Sequence, residues 1–307
     1  MKPGFLIAMA GLALSILTCG ALAAPLEIQP VTDGVYALVG EKQQRNPENL
    51  ANNATFGAVV TAEGVLLIDP GGSWKGAQAI HEAIRSLTDK RVKYVVDTGG
   101  QDHRWLGNGY WKAQGATIIA SRDAVADHKD RGSLQLTALS SLLGDRLAGT
   151  EPVYVDLTFD DDYSFEFGGL EIVIRHPGQA HTPGDSFVWI PARNTVFTGD
   201  IVYVERILGV GPQSNAKSWI AAFEAIEALA PEHVVPGHGH ATTLQTAKAD
   251  TYDYLVNLRE KVAGHIAQGG DMISSVNVDQ SAFSNLEQFS SLARRNAQQV
   301  FSEMEWE

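Results

Sequence analysis

Cysteine is almost absent from this chain, which has only Cys19 among its 307 residues. Cys19 lies in the N-terminal leader described below, so a chain that loses this leader has no thiol. Disulfide bonds, thiolate catalysis and thiolate metal ligation are then excluded. A chain of this length can bury a core large enough to fold without disulfides.

Dense clusters of Lys or Arg are also lacking, and the formal net charge is −13. A protein that follows a phosphate backbone needs such a cluster, so nucleic acid is not expected as a partner. The sequence has no internal repeat or low-complexity tract. Its hydrophobic content of 44% is typical of a globular protein and not of a disordered or fibrous chain.

The N terminus combines Lys2, an apolar run from Phe5 to Leu17 and small residues at Ala21-Leu22-Ala23. This pattern predicts a secretory signal peptide over residues 1–23 and therefore a periplasmic protein. Two alternatives are less favoured. The apolar run is shorter than the roughly 20 residues of a transmembrane anchor, and a lipoprotein signal around Cys19 would usually have Gly, Ala or Ser before that cysteine. No membrane span is expected after removal of the signal.

Residues 24–307 predict a single α/β domain. Alternating apolar residues indicate a hairpin of Phe56–Thr61 with Val65–Asp69, followed by a helix over Ser73–Leu87 and a buried strand at 92–98. This strand–helix–strand order is typical of a layered α/β fold. No Pro-, Gly- or Ser-rich linker separates the two β-rich halves, so we expect one domain.

Further segments predict elements around this framework. They are a first strand over Val31–Leu38, a mobile loop over Gly40–Asn53, a helix over Arg104–Gln114, a long helix over Gln245–Gln268 and a closing helix over Ser281–Phe301.

Metal-capable side chains occur in four glycine-containing turns, each after a predicted strand. Each has an ordinary structural explanation on its own, as a turn residue or a helix cap. Loops at strand ends of α/β proteins gather in one cleft, however, so together they indicate a site for zinc or another divalent first-row metal. The candidates are Asp102, His103, His181, Asp200 and His238.

Five short motifs carry a family resemblance: LLIDPG at 66–71, DHRWLGN at 102–108, HTPGD at 181–185, TGD at 198–200 and PGHG at 236–239. In this order they resemble the metallo-β-lactamase superfamily over nearly the whole mature chain. The exported branch of SoxH-type and quinoprotein-relay metallohydrolases is the most similar. The resemblance implies a four-layer αβ/βα sandwich and hydrolysis by a metal-activated water.

The chain departs from the family's first motif, H-x-H-x-D-H, because only its last two residues are present, as Asp102 and His103. Without a gap, Thr98 and Gly100 stand at the missing histidines. The resemblance leaves only His181 and the bridging Asp200 for the first metal. It implies a complete ligand set for the second metal, which consists of Asp102, His103, Asp200 and His238. A single divalent ion is therefore expected, zinc by its ligands, with iron and manganese as alternatives. Asp102 is assigned to catalysis as well as to metal binding.

Three functions remain open at this point. The first is a periplasmic hydrolase of a small ester, thioester, lactone or amide. The second is a non-hydrolytic metal- or ligand-binding protein that kept the fold and lost the first-metal site. The third is a β-lactamase proper, which is the least favoured because single-metal enzymes of this kind use a thiolate ligand that the mature chain lacks.

Overall fold

Two β-sheets form the centre of the molecule in the computed structural model, which describes residues 25–307. The predicted signal peptide and Cys19 lie outside the described residues. In the first sheet, β1 to β4 are antiparallel neighbours and β4 to β7 are parallel. Its strands are β1 Glu27–Thr32, β2 Val35–Val39, β3 Thr55–Val60, β4 Val65–Ile68, β5 Val92–Asp97, β6 Thr117–Ser121 and β7 Leu157–Phe159.

The second sheet has the order β12-β11-β10-β9-β8 and is antiparallel except for the pair β11 and β12. Its strands are β8 Asp162–Phe167, β9 Leu170–Arg175, β10 Phe187–Ile190, β11 Thr195–Phe197 and β12 His233–Val235. The main helices are α1 Trp74–Leu87, α2 Asn108–Ala113, α3 Arg122–Leu143, α4 Ala216–Glu227, α5 Leu244–Ala247, α6 Asp253–Ala267, α7 Met272–Ser275 and α8 Phe289–Met304.

Three apolar layers hold the sheets and helices together. Between the sheets, Val59 and Val96 of the first share a cluster with Ile172 and Val188 of the second. The other face of the first sheet is covered by α1 and α2. The other face of the second sheet packs against α4, α6 and α8. Side chains alternate between the faces of a strand, so each sheet can bury both faces, and the result is the expected αβ/βα sandwich.

Hydroxyl and amide side chains begin the helices that flank the site. Ser73 accepts a hydrogen bond from the backbone N–H of Gly76 at the start of α1, and Ser121 accepts one from Ala124 at the start of α3. Asn215 does the same for Ser218 at the start of α4. These caps satisfy N–H groups that have no partner within the helix.

Several predicted boundaries were wrong. The first strand is a hairpin of β1 and β2, because Gly34 adopts a φ of 71° and turns the chain. The helix predicted over Arg104–Gln114 is a short 3-10 turn at Asp102–Arg104 followed by α2. The long helix after residue 244 is divided by a π-turn at Lys248–Tyr252, and the closing helix begins at Phe289.

The polar segment that was predicted as a mobile loop is tied to its surroundings at its end. Asn52 is buried, accepts a hydrogen bond from the N–H of Gly72 and donates one to the carbonyl of Gly76. Gln44, Arg45 and Asn53 of the same segment line the pocket described below. Within residues 25–307, no helix is both long and apolar enough to cross a bilayer.

Candidate metal centre

Four loops meet at one edge of the two sheets, after β5, β9, β11 and β12. The N–H of Gly100 donates to the hydroxyl of Thr182 at 2.9 Å, which joins the first two loops. Gly199 has a φ of 50°, and a Cβ there would lie 2.2 Å from the hydroxyl oxygen of Thr98. A side chain at residue 199 is therefore excluded, and the loops approach closely enough to share one site.

Three of the predicted residues come together there: His103, Asp200 and His238. Nε2 of His103 lies 3.2 Å from Oδ2 of Asp200, and Nε2 of His238 lies 3.1 Å from Oδ1. All three side chains are buried, and their donor atoms lie within 4.8 Å of one another. Two imidazoles and one carboxylate are a donor set for zinc, iron or manganese. The residues present thus fit one divalent ion.

Asp102 stands beside this group and not in it. Its Oδ1 accepts from the guanidinium of Arg45 and, at 2.8 Å, from the N–H of His103. The same oxygen lies 3.2 Å from Nδ1 of His103. Burial alone would raise the pKa of Asp102, but Arg45 and His103 hold it well below its usual value. An ionised carboxylate next to Nδ1 favours a proton there, which leaves Nε2 free to bind an ion.

His181 borders the same pocket as His103 and His238 but is not one of the three clustered donors. Its Nδ1 lies 2.9 Å from the carbonyl oxygen of Gly209. A carbonyl can only accept, so Nδ1 carries the ring proton and Nε2 keeps a free lone pair. Burial lowers the pKa of His181 to about 4, so the ring is neutral at physiological pH.

Arg104 is fully buried beneath the clustered donors. Its guanidinium donates to Oδ2 of Asp69 at 2.6 Å and to Oδ1 of Asp200 at 2.7 Å. It also donates to the carbonyl oxygens of Thr55 at 3.1 Å and Gly237 at 2.8 Å. One cation therefore links the ends of four segments and leaves Oδ2 of Asp200 facing His103.

The charges of this buried network depend on Arg104. Burial opposes a charge on Arg104, but Asp200 and Asp69 raise its pKa above the usual value. Burial would raise the pKa of Asp200, yet Arg104 and His103 hold it well below its usual range. Asp69 differs, because burial raises its pKa despite Arg104. Asp200, unlike Asp69, is therefore held in its ionised form.

Helix α3 occupies the space beside the loop where the first motif lacks its histidines. Gln135 and Arg131 donate to the carbonyl of Gly100 at 2.8 and 3.1 Å, and His128 donates to that of Gly99 at 2.9 Å. A Cβ on Gly100 would lie 1.6 Å from Oδ2 of Asp127. An imidazole at residue 100 has no room in this arrangement.

We expect Gly100→Ala to lower the free energy of unfolding by roughly 1–3 kcal/mol, because the new methyl group overlaps Asp127 and overpacks a filled space. Urea denaturation measures the effect. Gly264→Ala is a matched control, since a Cβ there meets nothing within 4 Å inside α6 and should stabilise the helix by about 0.5–1 kcal/mol. Equal effects of the two substitutions would show that α3 does not fill the loop.

The pocket that His103, His181 and His238 line has three cationic side chains in its wall, Arg45, Arg206 and Arg295. No Asp or Glu is among the lining residues of this pocket, within the part of the chain that the structure describes. Sequence reasoning missed these residues and Arg104. Arg104 directly follows Asp102-His103 and was detectable as a neighbour of the motif. The other three come from distant segments and leave no local signal.

The fold and the donor set define a metal-binding α/β sandwich protein. The profile of the metallo-beta-lactamase superfamily matches residues 52–238, more than half of the chain, and the chain belongs to this superfamily. A relative, the metallo-beta-lactamase type 2 of Elizabethkingia meningoseptica, is 24% identical over 240 residues, which cover 77% of this chain and 87% of the relative.

Solved structures show the same fold. A metallo-beta-lactamase from Pontibacter korlensis has a TM-score of 0.61 and 22% identity, and the match covers 76% of this chain and 99% of that chain. DIM-1 metallo-beta-lactamase exposed to ceftazidime has a TM-score of 0.59 and 17% identity, over 76% of this chain and 98% of that chain. At these identities the likeness establishes the fold and not the substrate.

Proposed function

We propose that this chain is a periplasmic hydrolase that holds one divalent ion, zinc by its donor set, on His103, Asp200 and His238. Its substrate is a small ester, thioester, lactone or amide. The observation that carries the proposal is the group of three buried donors within 4.8 Å of one another, beside a pocket that two of them line. The leader pattern supports export, and export together with the five superfamily motifs supports the exported SoxH-type branch that the sequence resembles.

A divalent ion at this site supplies two effects, a lower pKa of a coordinated water and polarisation of a carbonyl group. The protein residues supply orientation. Tyr203 stacks on the ring of His238, with centroids 4.4 Å apart and an angle of 17° between the planes. Asp102 orients His103 from the opposite side of its ring. The neutral His181 offers a lone pair in the wall, where it can accept a hydrogen bond from substrate or water.

A non-hydrolytic binding protein is the second candidate, and the packing of α3 against Gly99 and Gly100 favours it. That packing leaves no place for an imidazole at residue 100, one of the two positions at which the first motif usually has a histidine. Against it stands the buried donor group, because two imidazoles and a carboxylate in one pocket have no structural need to converge. A lactam is one of the amides to be tested, although the mature chain offers no thiolate ligand.

The first experiment measures metal content by plasma mass spectrometry on protein purified from the periplasm without added metal, followed by a screen of esters, thioesters, lactones and lactams. About one equivalent of zinc with turnover in the screen supports the hydrolase. About one equivalent without turnover of any compound supports the binding protein. Metal content near zero that added zinc does not change contradicts the hydrolase and favours a ligand-binding protein that holds no metal.

We expect His103→Ala and His238→Ala each to abolish stable metal binding, because each removes one of three donors. Asp102→Ala should retain the ion with an affinity lowered by about 10–100-fold, since Asp102 orients His103 without joining the donor group. Competition with a chelator measures the three affinities. Complete loss of metal in Asp102→Ala would place this carboxylate among the ligands, as the sequence motif predicts.

A further inference from the structure

A buried amide on α8 holds the backbone of the loop that follows β11. Asn296 has an exposed fraction of 1% and lines the pocket of the metal centre. Its Oδ1 accepts a hydrogen bond from the N–H of Val210 at 2.9 Å, and its Nδ2 donates to the carbonyl oxygen of Leu208 at 2.8 Å. A backbone N–H only donates and a carbonyl only accepts, so these two contacts fix the orientation of the amide group.

A third contact connects Asn296 to the interior of the C-terminal helices. Its Nδ2 also donates to the hydroxyl oxygen of Tyr254 on α6 at 2.9 Å. That hydroxyl donates to Oε1 of Gln280 at 2.8 Å, and Nε2 of Gln280 donates to the carbonyl oxygen of Ala293 at 2.9 Å. All three side chains are buried, and each has at least two partners. A satisfied buried network of this kind is rigid, so Asn296 is a fixed support for the loop.

The residue between the two loop contacts is Gly209, whose carbonyl faces the site. Its oxygen lies 2.9 Å from Nδ1 of His181. Gly209 has no side chain that could anchor it, and a Cβ there would meet nothing within 4 Å. Asn296 binds the backbone on both sides of this residue, at Leu208 and Val210, and so determines where the carbonyl lies. A carbonyl in that place selects the tautomer of His181 that carries its proton on Nδ1.

We propose that Asn296 is a positioning residue of this site, which holds His181 in one orientation and one tautomer through the Gly209 carbonyl. The five sequence motifs of the site lie before α8, so they do not reveal this contact. The apolar side chains of Leu208 and Val210 are buried against the helices of the second sheet, so the loop stays packed without the amide. What His181 does for a substrate rests on the proposed hydrolase, but its positioning needs neither metal nor turnover.

The test is nuclear magnetic resonance of the metal-free, full-length mature protein with isotope-labelled histidine, because spectra that correlate ring protons with ring nitrogens identify the tautomer. At about pH 7.5 the ring of His181 is neutral, since burial lowers its pKa to about 4. We expect the Nδ1–H tautomer alone in the wild type, with its signals identified by their loss in His181→Gln. In Asn296→Leu the two ring-nitrogen signals should move towards each other, because the Gly209 carbonyl no longer selects one tautomer.

Gln280→Leu is the matched control, because Gln280 is a buried amide of the same network that does not contact the loop. Both substitutions should lower the urea midpoint of unfolding, but only Asn296→Leu should change the signals of His181. Asn296→Ala, which introduces no larger side chain, replaces Asn296→Leu if that variant does not fold.

Three outcomes overturn the positioning role. They are a change of the His181 signals in both variants, a change in neither, or an Nε2–H tautomer in the wild type, which needs no variant. Changed signals in Asn296→Leu, with no turnover of any screened compound by the metal-loaded wild type, contradict the hydrolase and leave the positioning role in place. Turnover by the wild type, with unchanged signals in Asn296→Leu, contradicts the positioning role and leaves the hydrolase in place.

Discussion

Arg104→Met is expected to lower the free energy of unfolding by about 3–5 kcal/mol, the cost of removing one partner from a buried ion-pair network. The substitution leaves Asp69 and Asp200 buried without the cation that contacts both. The carbonyls of Thr55 and Gly237 lose their guanidinium donors as well. Urea denaturation in the presence of a chelator measures the effect without a contribution from bound metal.

The pH dependence separates lost charge from lost packing. Without Arg104, the pKa values of Asp69 and Asp200 in the folded state should rise above those in the unfolded chain. The folded variant then binds protons that the unfolded chain does not, so its stability deficit should shrink as the pH falls from about 8 to about 5. A deficit independent of pH would indicate packing alone.

A surface arginine provides the control for this experiment. Arg122 pairs with Asp160 at 2.7 Å, and both side chains are exposed. Arg122→Met should leave the free energy of unfolding almost unchanged, because solvent screens such a pair. If Arg104→Met were equally harmless, Asp69 and Asp200 would not depend on a cation.

Asp200→Asn is expected to lower metal affinity by about a hundredfold or more, since it removes the only charged donor of the proposed group. The amide keeps the shape of the side chain and an oxygen for Arg104, but it cannot be an anion between two imidazoles. Chelator competition measures the affinity, and circular dichroism checks the fold.

Asp185→Asn is a matched control in the adjacent loop. Asp185 is buried, and burial together with Asp200 raises its pKa to about 8, so it is mostly protonated at neutral pH. The substitution therefore exchanges one neutral group for another beside Thr182. We expect unchanged metal affinity. Retention of metal by Asp200→Asn at wild-type affinity would remove this carboxylate from the proposed ligand set.

The sequence was sufficient to predict the layered fold and the loops that converge. The periodicity of Phe56–Thr61 and Val65–Asp69 predicted a hairpin that is present as β3 and β4. His103, Asp200 and His238 meet because they follow strands of the two sheets that end at the same edge of the sandwich. The place of Asp102 beside this group was not predictable, because adjacent residues in a 3-10 turn point in different directions and sequence spacing does not say which one faces the site.

The arginines of the pocket wall could not be predicted from the sequence at all. Arg206 and Arg295 are far apart in the sequence but line the same pocket. They come together because α8, which carries Arg295, packs against the helices that cover the second sheet. The pocket is cationic although the chain as a whole is acidic. This difference in charge arises from the tertiary structure, and the net charge of the chain does not reveal it.

The contact between α3 and the Gly99–Gly100 turn also limits how this site can change. A second ion would need imidazoles in a space that Asp127, Arg131 and Gln135 now fill. A single histidine introduced at residue 100 would overlap these side chains, and its ring could not reach a metal. Directed evolution towards a binuclear enzyme therefore has to remodel the helix first, because substitution within the loop alone lowers stability before it can add a metal ligand.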